Sequence, residues 1–74
     1  MNKDREKINY MVVCVNEFAQ RHNLSSKESF QYLYKFNGIK FLKENYEIEH
    51  TLSFDTVIED LEILCKRNED LTKD

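Results

Sequence analysis

The sequence predicts an all-α fold, a small irregular bundle of about four helices, and three observations carry that expectation. Turn formers are nearly missing, with no Pro and a single Gly in 74 residues. A strand-rich chain of this length would need several Gly- or Pro-bearing turns. Apolar residues recur at three- and four-residue steps along two long stretches, as on one face of a helix. Helix start and stop signals bracket those stretches.

The first helix is expected from about Asp4 to Arg21, with Ile8, Met11, Val12, Val15, Phe18 and Ala19 forming its apolar stripe. Asp4 and Glu6 near its start, and Arg21 and His22 near its end, complement the helix dipole. Asn23 suits a left-handed stop. The second helix opens at Ser25, which has capping-box spacing to Glu28. Its inward face is read as Phe30, Leu33 and Tyr34, and it ends at Asn37-Gly38, where Gly38 would supply a positive φ.

A short third helix follows from Ile39 to about Tyr46, with Ile39, Leu42 and Tyr46 on one side and Lys40, Lys43 and Glu44 towards water. Glu47 to Leu52 shows no helical stripe and reads as a partly extended connector. The last helix starts after Ser53, an N-cap, with Asp55 in its first turn. Its stripe is Phe54, Val57, Ile58, Leu61, Leu64 and Cys65, and Lys66 and Arg67 close it. The first and last helices should form the spine of a single domain over residues 1–74, with residues 69–74 a frayed tail.

Composition narrows the function. Fourteen acidic residues against eleven basic ones give a net charge of −3. The basic residues are interleaved with acids, as in Lys3-Asp4-Arg5-Glu6-Lys7. Nucleic-acid binders need clustered cations, so this pattern argues against nucleic acid. No apolar run approaches a membrane span, and the amino terminus lacks a signal-peptide core. A cytoplasmic protein with reduced Cys14 and Cys65 is expected.

No constellation of catalytic or metal-binding residues is present in the sequence, so the expectation is a non-enzyme without a cofactor. The two cysteines lack CxxC spacing and fall on the apolar stripes, where a thiol acts as a small hydrophobe. His22 suits a helix end. His50 lies in the connector, where locking the chain by a hydrogen bond is the favoured role. A His50–Asp60 pair is the one arrangement worth testing for catalysis. Nine aromatic residues exceed what so small a core is expected to absorb. Tyr10, Tyr32, Phe36 and Phe41 fall off the inward stripes and would make an exposed binding patch if they converge.

The run from Asn37 to Tyr46, followed by His50-Thr51 and Asp60-Leu61, resembles a family of short bacterial proteins of unknown function. In that family a helix of the form Gly-x-x-x-Leu-x-x-x-Tyr leads into a His-Thr pair and a closing acidic helix. The matched positions here are Gly38, Leu42, Tyr46, His50 and Thr51. Members are often described beside a larger protein resembling an ADP-ribosyltransferase. The resemblance therefore implies an antitoxin-like or regulatory partner of such an enzyme.

The leading expectation is a protein–protein interaction module whose anchors are Tyr32, Phe36, Phe41, Tyr46 and His50. A self-complementary patch would make it a homodimer. The alternative is a DNA-binding helix-turn-helix of the second and third helices, with Lys35, Lys40 and Lys43 on the phosphates.

Overall fold

A computed structural model describes residues 3–72. The chain is all-α, in the order α1 (Lys3–His22), α2 (Ser26–Lys35), α3 (Gly38–Glu44), α4 (Tyr46–Glu49) and α5 (Phe54–Thr72). Central to the packing is α1, which touches α2, α3 and α5, while α3 also packs on α2 and α5. No described helix is long and apolar enough to cross a membrane.

The helix ends follow from local chemistry. Ser25 Oγ accepts from Glu28 N at 3.0 Å, and Glu28 Oε1 accepts from Ser25 N at 2.9 Å, completing the capping box. Asn23 stops α1 at φ 56°. Ser53 Oγ accepts from Thr56 N at 3.2 Å at the start of α5. These signals need no tertiary context, which is why the sequence exposes them.

Three expectations change. The left-handed residue at the α2–α3 corner is Asn37, at φ 69°, and Gly38 has no positive φ. Asn tolerates that conformation, so glycine is required for a different reason. A Cβ on Gly38 would lie 2.8 Å from Leu33 Cδ2 and 3.2 Å from the Leu33 carbonyl oxygen. The connector is also not extended, because Tyr46–Glu49 forms α4. Finally α5 runs to Thr72, past the expected fraying point, because tertiary bonds hold its last turns. Tyr32 Oη donates to Glu69 Oε2 at 3.1 Å, and Asn68 Nδ2 donates to the Phe36 carbonyl at 2.7 Å. Residues 73–74 of the expected tail lie outside the described residues.

The core is built from Cys14, Val15 and Phe18 of α1, Leu33 of α2, Leu42 of α3, and Val57, Ile58, Leu61 and Cys65 of α5. Each large aliphatic or aromatic side chain there contributes about 1.5–3 kcal/mol by leaving water. Both cysteines are free and fully buried, as packing predicts, and burial pushes each thiol up to about 11.

The Gly38 contact makes a direct prediction. Gly38→Ala must push on Leu33, which is fully buried and has no room to swing aside. The expected loss is about 1–3 kcal/mol, read as a lower urea midpoint. A raised midpoint would mean that the corner has slack and that the entropy gained by removing a glycine dominates.

Candidate interaction surface

The facing of α2 decides which residues are available to a partner. Its buried side carries Ser29, Leu33 and the C-cap residue Phe36, with Tyr32 half-buried beside them. Ser29 sits flush against α1, where its hydroxyl donates to the Val15 carbonyl at 2.8 Å. A small side chain at the contact lets the two helices approach, and its one polar group is satisfied. Tyr32 can then reach Phe18, and Phe36 packs behind Tyr32. Tyr32 stacks on Phe18 with centroids 5.8 Å apart, and Phe36 tilts against Tyr32 at 5.0 Å.

This facing turns Phe30 and Tyr34 outward, 45% and 68% exposed, where the sequence pattern had put them inside. Along α1 the same shift leaves Ile8 at 60% and Val12 at 52% exposed, so the inward stripe is narrower than its periodicity suggests. The buried part of α1 is Cys14, Val15, Phe18 and Ala19. Phe54 is likewise exposed at the start of α5, stacked on Tyr10 at 6.0 Å.

The sequence-nominated anchors lie elsewhere. Phe36 and Tyr46 are buried, and Tyr32 and Phe41 are half-buried against the core, so the four do not form one exposed patch. Burial and a hydrogen bond to Glu69 push the Tyr32 phenol up to about 12. Tyr46 packs edge-on to Tyr10 at 5.4 Å, with Lys7 Nζ 5.7 Å from its ring centre. His50 is exposed but engaged. Its ring stacks on Tyr46 at 4.5 Å, and Nδ1, in the protonated tautomer, donates to the Tyr46 carbonyl at 2.6 Å. That is the connector lock expected of it.

The signature positions have structural work as well. Gly38 and Leu42 are buried, and Thr51 Oγ1 donates to the Ile48 carbonyl at 2.7 Å. His22 does more than end a helix. It stacks on Phe18 and bonds Glu62 of α5 at 2.8 Å, beside an Arg21–Asp55 ion pair at 2.6 Å. Asp60 is bonded to Glu49, while His50 Nδ1 is taken up by the Tyr46 carbonyl. Among the described residues no group of three or more His, Cys, Asp or Glu side chains could hold a metal ion.

What the fold leaves open is a groove of about 480 Å³ between α1, α2 and α3. Its floor is Ile8, Met11, Val12 and Val15 of α1, and its walls are Phe30 of α2 and Ile39 of α3. A hydrogen bond from Ser26 Oγ to Asn16 Oδ1, 2.7 Å, ties the helices together at one end. Past Ile39 the surface continues over Tyr34, and Lys40 and Lys43 stand at its edge. Ile39 and Met11 also border a neighbouring depression with Asp4, Lys7 and Lys43. Phe30 and Tyr34 stack on each other at 5.9 Å, so the aromatic wall is continuous.

The groove was hidden from sequence reading because its residues sit on helical stripes, which ordinarily mean core. The signal was a surplus. Both α1 and α2 carry apolar residues around more of their circumference than one contact can bury.

No curated protein and no solved structure is recognisably similar to the chain. Residues 9–68 match the sequence model of a family described as protein of unknown function (DUF3791), a span that runs from α1 into α5 and takes in the Gly38-to-Thr51 signature; the chain belongs to that family.

Proposed function

We propose that this chain is a non-catalytic protein-interaction module that receives a partner in the groove between α1, α2 and α3. The observation that carries the reading is the groove itself. Ile8, Val12 and Phe30, about half exposed, line one concave apolar surface together, whereas other exposed apolar side chains such as Ile48, Ile63 and Leu71 do not line it. Leaving such groups in water costs stability that a small domain has little of, and contiguous exposed apolar surface marks binding sites. The helix-turn-helix alternative draws less support, since α3 has only seven residues and the Lys35 ammonium lies 5.3 Å from the Phe36 ring centre.

An antitoxin-like or regulatory partner of a larger enzyme resembling an ADP-ribosyltransferase is the finer version of this role, supported by the family resemblance alone. The test is affinity purification of tagged wild type and Val12→Asp from the native host. Val12 is half exposed, so the variant should keep its helical circular dichroism and lose less than about 1 kcal/mol of stability. A stoichiometric partner should fall at least about tenfold in yield, because a charge at the centre of a dry contact is left unpaired. Equal recovery with both proteins would rule the groove out as the contact.

A further inference from the structure

We infer that the occupant of the groove is an acidic amphipathic helix supplied by another protein. The inference rests on the interaction-module reading and adds the partner's chemistry. Its basis is the charge around the groove. Lys27, Lys40 and Lys43 border the apolar surface and its continuations, with Lys7 beside them 5.7 Å from the Tyr46 ring centre, against Asp4 and Glu44 among the acidic residues that line it. That excess of cations stands on a chain whose total is −3. The acids are concentrated elsewhere, with Asp55, Glu59, Asp60 and Glu62 all on α5. Long lysine stems extend the apolar surface while their ammonium groups stay in water at its edge. A partner with carboxylates flanking an apolar stripe matches both parts at once.

The shape selects a helix. The floor is one face of α1 from Ile8 to Val15 and the walls are two further helices, which is the geometry of a helix laid in a groove. From Ile8 to Val15 the floor is about 10 Å long at the α-helical rise, enough for roughly two turns of an incoming helix. Anchors at i, i+4 and i+7 would then meet Ile8, Val12 and Phe30. The aliphatic floor offers little to a nucleic-acid base, and a concave site between three helices suits a flat lipid surface poorly.

The experiment is selection from a displayed library of helical peptides with Leu fixed at i, i+4 and i+7 and the flanking positions free to be Glu, Lys or Ser. Wild type is the bait and Val12→Asp the counter-selection, with Ile8→Asp as a second counter-variant should the first fold poorly. Enrichment of Glu at the flanks is expected. The best peptide should bind Lys27→Glu/Lys43→Glu about tenfold more weakly than wild type, and the difference should shrink as salt rises. Enrichment without charge preference, or of Lys, overturns the acidic occupant and leaves the groove standing as an interface. No enrichment above the counter-variants overturns the groove reading as well. Flotation of the protein with vesicles of phosphatidylglycerol and phosphatidylcholine, lost in Val12→Asp, would put a lipid surface there instead. A wild-type dimer in sedimentation that Val12→Asp dissolves would put a second copy there. Either result overturns the inference.

Discussion

Phe36→Ala should cost the fold about 3–5 kcal/mol, while Phe30→Ala, six residues earlier on the same helical segment, should cost less than about 1 kcal/mol. The domain has roughly 4–11 kcal/mol in total, on the scale of its length. The first variant should therefore be largely unfolded at modest urea, and the second should unfold near the wild-type midpoint. Phe36 is 8% exposed and tilts against Tyr32, which itself stacks on Phe18, so its ring closes the core at the end of α2. Truncation leaves a cavity among rings that have no way to close over it. Phe30 has one face in solvent and its nearest ring neighbour is the exposed Tyr34. Reversed magnitudes would mean that α2 faces the other way, and the groove would disappear with it.

That contrast shows where sequence reading succeeds in this chain and where it stops. Element ends were legible because their chemistry is local: Ser25 with Glu28, Ser53 with Thr56, and Asn23 in the left-handed region. The two buried cysteines and the His50 lock were legible for related reasons, since each follows from one residue's position on its own element. Facing was not. Helix α2 offers two overlapping apolar stripes, and the choice between them is made by Ser29, a polar residue that reads as surface but is fully buried. The four residues of α4 are too few to show a period, and the last turns of α5 persist through bonds to residues more than thirty positions away. The candidate groove inherits both problems. It is a product of which stripe is left over, and that is settled only by packing.

The second large effect is a pH dependence centred on Glu49. This residue is 6% exposed, on the inner side of α4, and its Oε1 has no hydrogen-bond partner. It faces Asp60 of α5, and its charge acts on Tyr10 and Cys14 of α1. The Tyr10 hydroxyl is also buried, with the Cys14 thiol as its neighbour, and its phenol is pushed far above the ordinary range by burial first and by Cys14, Glu49 and Tyr46 after it. Burial, and then the hydrogen bond and charge of Asp60, push the Glu49 carboxyl up to about 7. A group whose pKa is raised by folding favours the folded state in its protonated form. Its contribution is complete below the ordinary glutamate range and is lost as pH rises through about 7. Glu49→Gln keeps the shape and removes the titration. The variant should match wild type near pH 4 and exceed it by on the order of 2–3 kcal/mol at pH 8, measured as paired urea titrations across that range. Taking the difference between the two proteins cancels the shared titrating groups that do not interact with Glu49, and Asp60 is read with it as one pair. Asp60→Asn should recover part of the same gain, because it removes the second and third causes of the shift and leaves the desolvation. Identical pH profiles for wild type and Glu49→Gln would mean that water reaches the carboxylate, and that α4 rests on α1 through Tyr46 against Tyr10 without enclosing the acid.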